Sequence, residues 1–183
     1  MTMKIQIDKY FEPFDQHFDK YFEPLRENSS ANQIFYGAST VADHSIIWFI
    51  FASIRGLRRG GAKYATRASI ALLAESFIIN IVVKSLFMRT RPTWDGERPL
   101  AIRQPLTSSF PSGHSSAAAT AFILLSENDR LWPLYLIVAL VVAPSRVHVR
   151  MHHASDVVAG TVIGTLFGLT VRRLFPIKKS KQK

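Results

Sequence analysis

The chain has 183 residues, no cysteine, 23 Lys/Arg against 13 Asp/Glu and a formal charge of +10. That length suits one domain, and the lack of cysteine excludes disulfides and thiolate metal sites. So basic a chain raises nucleic acid as a partner, but its cations sit in short clusters beside apolar runs, as in membrane proteins, and no nucleic-acid partner is expected.

Residues 1–36 are polar, aromatic and net acidic, and carry the hexapeptide DKYFEP twice, at Asp8–Pro13 and Asp19–Pro24. The repeat period of 11 residues is close to three helical turns, so Tyr10, Phe11, Tyr21 and Phe22 fall on similar faces. Pro13 and Pro24 should interrupt a continuous helix. The expectation is two short amphipathic pieces in the headgroup region, aromatic side down. No cleavable leader is expected, because the first apolar run starts near residue 45 behind this acidic segment.

A first span covers about Thr40–Ile54 and extends back over Asp43 and His44 toward Gly37 to reach bilayer length. Residues 55–67 follow with five Lys/Arg and no acid. The second span, Ala68–Met88, is interrupted only by Glu75, Asn80 and Lys84. The loop Arg89–Pro111 holds four prolines. A third span, Ser115–Ser126, is short and Ala-rich and should begin inside the protein. After a turn at 127–130 comes a fourth, Leu131–Ala143, which Pro144 should kink or end. The fifth, Ala154–Leu174, leads into a basic tail. Along it Asp156, Gly160, Gly164 and Gly168 recur every fourth residue, a seam that lets a neighbouring helix approach closely.

The predicted fold is therefore all-α: an integral membrane bundle of about five transmembrane helices plus an N-terminal amphipathic segment. Residues 1–36 form the interfacial segment, 37–177 the transmembrane domain and 178–183 a basic cytoplasmic tail. The basic loop 55–67 and the tail belong in the cytoplasm. The stretches 89–114 and 145–153 then share the outer face.

Three clusters carry chemistry. In KSLFMRTRP, residues 84–92, Lys84 and Arg91 lie two helical turns apart and can reach one anion. In PSGH, residues 111–114, Pro-Ser-Gly caps a helix whose free N–H groups bind phosphate, with His114 at the same anion. In SRVHVRMHHASD, residues 145–156, His148, His152 and Asp156 at i, i+4, i+8 would share one face of a helix. An imidazole beside a carboxylate is held in one tautomer and becomes a better base or nucleophile, and Arg146 adds a forked cation suited to phosphate oxygens.

Each cluster has a plainer reading. Lys84 alone would be a snorkelling anchor, PSGH a capped turn, and the His/His/Asp face a zinc site. A metal site would not account for the cations gathered on the same side. Glu75 lies inside a span, where an ionisable group is a functional candidate by default. It is nine residues, roughly 13 Å, from Lys84, so it reads as a structural carboxyl facing the bundle.

Together the clusters resemble the type 2 phosphatidic acid phosphatase (PAP2) family, whose pattern is Lys-x6-Arg-Pro, Pro-Ser-Gly-His and Ser-Arg-x5-His-x3-Asp. Here these are Lys84…Arg91-Pro92, Pro111-Ser112-Gly113-His114 and Ser145-Arg146…His152…Asp156, in order, over roughly residues 37–175. The resemblance implies a helical membrane enzyme without metal or other cofactor. His152 would attack phosphorus to give a phosphohistidine, with Asp156 orienting it. His114 would protonate the leaving oxygen. Lys84, Arg91, Ser112, the Gly113 N–H and Arg146 would hold the phosphoryl oxygens. His148 would sit behind the site and His153 would be structural.

The activity so implied is hydrolysis of a lipid phosphate or pyrophosphate of the isoprenoid pyrophosphate, phosphatidylglycerol phosphate or phosphatidate type. It would act at the outer face of a bacterial plasma membrane. The expected partners are the bilayer and its lipid substrate, with no obligate protein partner. Two other readings stay open. Vanadate-dependent haloperoxidases share this phosphate pocket but are soluble, against the apolar spans. A non-catalytic anion-binding membrane protein would not need a full set of nucleophile, acid and orienting carboxylate.

Overall fold

The structure, a computed structural model, describes residues 7–94 and 98–178; most of the expected cytoplasmic tail, 179–183, lies outside them. Those residues form seven helices and no strand: α1 (Asp8–Arg26), α2 (Ser29–Val41), α3 (Ile46–Leu57), α4 (Ala62–Leu86), α5 (Gly113–Leu125), α6 (Trp132–His148) and α7 (Ala154–Leu174).

The centre of the bundle is α5, whose run GHSSAAATAF carries mostly small side chains and is buried along almost its whole length. Small residues let other backbones come close, and α7 does so through its glycines. A Cβ on Gly160 would lie 2.3 Å from the Ser112 carbonyl oxygen, and one on Gly164 would lie 2.1 Å from that of Ser116. Thr120 Oγ1 adds a hydrogen bond to the Gly164 carbonyl at 3.0 Å. The glycine seam read from the sequence is thus the contact that fixes where α7 begins.

Around this pair, α4 and α7 are long and apolar enough to cross a membrane. Ile70, Leu73, Phe77 and Ile81 on α4, with Val158, Val162 and Leu166 on α7, face outward as apolar stripes suited to lipid. Helices α2 and α3 make a third crossing only as a bent pair, at 61° to one another. The first span is therefore not one helix from Gly37 to Ile54. The chain breaks at Asp43–Ser45, where His44 and Ser45 adopt φ of 50° and 61°, a left-handed conformation unfavourable for residues with a Cβ. α5 and α6 are apolar but shorter.

Three further expectations are corrected. Pro13 and Pro24 do not divide the N-terminal segment, and α1 runs through both. Each proline removes one N–H, a local loss that α1 offsets by anchoring at its middle and its C-terminal end: Asp15 to the first turn of α7, and Arg26 to the carbonyls of Val147 and His148 at 3.0 Å each. Of the two outcomes expected at Pro144, a kink or an end, the second does not occur, and α6 continues to His148. The stretch 148–156 is not helical throughout. α6 stops at His148, a turn follows with Arg150 at φ 49°, and α7 starts at Ala154.

Candidate active site

The turn between α6 and α7 decides the geometry. It swings His152 away from His148, so the two do not share a helical face. His148 Nε2 meets Asn32 Oδ1 at 2.8 Å and its ring stacks on Phe35, 4.5 Å between centroids. The expected place behind the site is thus not occupied by His148, and the three-residue metal set is never assembled. Among the described residues no group of three His, Cys, Asp or Glu could hold a metal ion.

His152 points the other way, fully buried, with its two nitrogens facing opposite charges. Nδ1 lies 3.6 Å from Asp156 Oδ2, and Nε2 lies 3.4 Å from Arg91 Nη1. Asp156 stands at the start of α7 and accepts a hydrogen bond from the His153 N–H at 2.9 Å, so the carboxylate that faces His152 also caps its own helix. Burial, with the charges of Arg146, Arg91 and Lys84 and the neighbouring His114, holds His152 well below the usual histidine range. It is therefore a neutral imidazole at neutral pH, with Nε2 free to act.

His152 is on the wall of a cavity of about 320 Å³, together with Lys84, Gly113, His114 and Arg146. Lys84 reaches it from the last turn of α4, Gly113 and His114 from the first turn of α5, and Arg146 from the last turn of α6. Arg146 is buried and is steered by a hydrogen bond from Nη1 to Ser39 Oγ on α2. Arg91 stands beside His152, fixed by the carbonyls of Met151 at 2.6 Å and Thr107 at 3.1 Å. Ser112 is the N-cap of α5, as read from Pro-Ser-Gly. Its hydroxyl accepts from the Ser115 N–H at 3.4 Å and the Ser115 hydroxyl at 2.9 Å, capping α5 instead of lining the cavity. The cavity wall thus joins the cations of Lys84, Arg103 and Arg146, with Arg91 beside His152, to a helix N-terminus and the imidazoles of His114 and His152, a set suited to a tetrahedral oxyanion.

The family model of the PAP2 superfamily matches residues 64–180. The chain belongs to that superfamily. Decaprenylphosphoryl-5-phosphoribose phosphatase of Mycobacterium tuberculosis is 28% identical over 137 residues, 74% of this chain and 75% of that protein. Undecaprenyl-diphosphatase of Sulfolobus acidocaldarius is 32% identical over 128 residues, 64% of this chain and 62% of its own length. The fold matches that of a transmembrane PAP2 type phosphatidylglycerolphosphate phosphatase from Bacillus subtilis with a TM-score of 0.70, covering 90% of this chain and 86% of that one at 21% identity. This PAP2 protein is accordingly an integral membrane enzyme and a phosphoric ester hydrolase.

Two residues of this PAP2 site escaped the reading of the sequence. Asp43, in the break between α2 and α3, puts Oδ1 3.1 Å from Nε2 of His114. An acid inside an apolar span is a functional candidate by rule, and that signal applied to Asp43 as it did to Glu75. Arg89 lies between Lys84 and Arg91 and contacts Asp156 itself. No spacing rule singles it out.

Proposed function

We propose that this protein is a five-span membrane phosphatase that hydrolyses a lipid phosphate or diphosphate through a phosphohistidine on His152. The observation that carries the reading is the opposed placement of His152, with Nδ1 toward Asp156 and Nε2 toward the cationic cavity. In the first step Nε2 attacks phosphorus and the bond from phosphorus to the leaving oxygen breaks. His114 donates a proton to that oxygen, and Asp43 steadies its ring. In the second step a water gives its proton to His114 and its oxygen to phosphorus, breaking the N–P bond and releasing phosphate. Asp156 offsets the positive charge that His152 gains on attack. Lys84, Arg91, Arg146 and the Gly113 N–H stabilise the equatorial oxygens, and Ser112 supports them by holding the start of α5.

A groove reaches Lys84 from the side of α4, between Ile81, Phe87 and Met88 on one wall and Leu106 on the other. Ile81, Met88 and Leu106 are exposed there, which suits entry of an apolar chain from the bilayer. Two relatives act on polyprenyl substrates by name, and an isoprenoid phosphate or diphosphate is the substrate class favoured here. The site would face outward from a bacterial plasma membrane, because it lies at the end of the bundle opposite the basic loop 55–67. A cysteine replacing Thr107 should then react with an impermeant maleimide in whole cells, and one replacing Arg59 should not.

The direct test is phosphate release in detergent from phosphatidate, phosphatidylglycerol phosphate, and short- and long-chain isoprenoid phosphates and diphosphates. Hydrolysis of the isoprenoid set by the wild type and not by His152→Ala is expected. No release from any lipid phosphate by well-folded protein would sink the proposal.

A further inference from the structure

The carboxylate behind His152 is not alone. Asp156 Oδ1 accepts from Arg89 Nη1, whose side chain is buried. A guanidinium this close would by itself cancel the charge of Asp156 and leave His152 with a neutral pair at its back. The rest of Arg89 is claimed by α1. Nη2 donates to Asp15 Oδ2, and Nε donates to Asp8 Oδ1 at 3.2 Å. Asp15 is buried as well and is held in two further ways, by the Ser155 N–H at 2.8 Å and the Ser155 hydroxyl at 2.9 Å. It sits on the first turn of α7, beside the residue that precedes Asp156.

The orientation of α1 explains why an acid arrives there. Asp8, Asp15, Asp19 and Arg26 lie along one side of the helix and pair with the protein. Asp19 binds Arg26 and approaches Arg150 at 3.7 Å. Tyr10, Phe14 and Tyr21 are exposed on the other side. The aspartates that open the two DKYFEP repeats, Asp8 and Asp19, both serve arginines on the site side, and Asp15 between them is the buried one. The helix turns its acids inward and its rings outward, the reverse of an amphipathic helix on a water-soluble core.

We propose that α1 is a built-in activating strap: through Arg89, its Asp15 keeps a net negative charge behind His152, making α1 part of the machinery that readies the nucleophile. This rests on reading His152 as the nucleophile. Around Arg89 stand Asp156 and Asp15, with Asp8 at the margin. The two buried carboxylates and one guanidinium leave one negative charge, and without Asp15 they leave none. Every other charge or imidazole facing His152, from Lys84 on α4, Arg91 in the following loop, His114 on α5 and Arg146 on α6, opposes the positive charge that attack creates. Asp156 is the one carboxylate within 4 Å of the His152 ring among the described residues, so its neutralisation by Arg89 has a direct effect on the attack. Asp15 is a positioning residue, since it touches neither phosphate nor His152.

The test is a double-mutant cycle on the full-length protein, with kcat, KM and thermal unfolding measured on each variant. Asp15→Asn keeps the shape and removes the charge. It should lower kcat roughly tenfold, by weakening a charge–charge interaction across a partly buried distance, with little change in KM. Asp15→Asn/Arg89→Gln removes both charges and should recover most of the lost rate. A structural tie would behave otherwise: the double variant would be no faster than Asp15→Asn, and activity would fall in step with the unfolding temperature. Either that pattern or a normal kcat in folded Asp15→Asn overturns the proposal. Labelling by phosphate donor in a rapid quench separates the two levels of the argument. Slow labelling in Asp15→Asn with none in His152→Ala supports the strap, whereas labelling that persists in His152→Ala overturns both the strap and the nucleophile it serves.

Discussion

Both ends of the bundle collect cations, and they use them in opposite ways. At the end away from the site, Arg55 meets Asp129 at 2.9 Å and Arg58 meets the same carboxylate, while Arg67 and Arg172 converge on Glu127. Burial opposes ionisation of Asp129, yet hydrogen bonds from Arg58, the Leu131 N–H and Tyr135, with the charge of Arg55, hold its carboxyl below the usual range. These pairs tie the 55–67 loop, the α5–α6 turn and the end of α7 into one clamp. At the site end, Lys84, Arg91 and Arg146 have no carboxylate ion pair among the described residues. Arg146 rests on a hydroxyl and Arg91 on backbone carbonyls. Burying cations without counter-ions is unfavourable, and an incoming phosphoryl group supplies the missing charge. The number of cations does not separate a clamp from a cage; the acids within reach do.

The largest effect should come from the nucleophile. His152→Ala should lower turnover by at least ~10⁴-fold, as loss of a covalent catalyst does elsewhere, and should abolish an acid-labile, base-stable phosphoenzyme. The contrast between the two ends predicts opposite phenotypes next. Arg146→Ala should cost roughly 10²–10³-fold in kcat with the protein still folded, because it removes a donor aimed at the developing charge. Asp129→Asn leaves two arginines facing one another without their acid, and should cost about 3–5 kcal/mol of stability while the folded fraction turns over normally. Folded Asp129→Asn enzyme that is inactive would erase the distinction.

Much of this contrast was legible in the sequence, and the parts that were not have physical reasons. The three motifs single out Lys84, Arg91, His114, Arg146, His152 and Asp156, which the fold brings to one end of the bundle. The glycine interval of four gave the α5–α7 contact. What failed were readings that assumed an unbroken or an interrupted helix from local rules alone. Two prolines were expected to break α1, but tertiary anchors at Asp15 and Arg26 outweigh two lost backbone bonds. His148 was placed with His152 on spacing, and a turn at Val149–His153 undid that alignment. Asp43 carried the same signal as Glu75, an acid inside an apolar span, but Asp15 and Arg89 were out of reach for another reason. Their partners are distant in sequence, and a local pattern carries no trace of such pairing.

A smaller effect is expected in the pH dependence. Attack needs neutral His152 and a proton on His114, so kcat/KM should rise with pH through the pKa of His152 and fall again as His114 loses its proton. Burial and the surrounding cations push this pKa well below the usual value of about 6.5, so the acid limb should lie well to the acid side of it. The same shift ties stability to pH. The neutral buried imidazole contributes fully above about pH 6.5 and loses that contribution as pH falls toward its folded-state pKa. Arg91→Gln removes one of the cations and should move the acid limb upward, on the order of one pH unit. An acid limb that stays at pH 6.5 in the wild type would mean that the cations are not facing His152 in the free enzyme.

The smallest effect expected is at Glu75, the carboxylate at the site end that the contrast leaves without an arginine. On a straight α-helix, nine residues are two and a half turns, and Glu75 and Lys84 would face opposite ways. In α4 the residues Ile78–Val83 form a π-helical stretch, which inserts a residue into the turn and rotates the face by roughly 100°. Both side chains consequently border the same cavity, contrary to the separation inferred from distance along the axis. Glu75 is 2% exposed, beside Ser116, and its Oε1 has no hydrogen-bond partner among the described residues. It faces Ser116 on α5 and holds none of the cations in an ion pair, so its carboxyl contributes nothing that attack requires. Glu75→Gln preserves the shape and should leave kcat and KM within about threefold. Glu75→Leu should instead lower the unfolding temperature in detergent, since it replaces a polar group beside the Ser116 hydroxyl with one that cannot pair. A folded Glu75→Gln enzyme that has lost a hundredfold or more in kcat would move this residue from the wall into the machinery, and would make the π-helical stretch the device that delivers it.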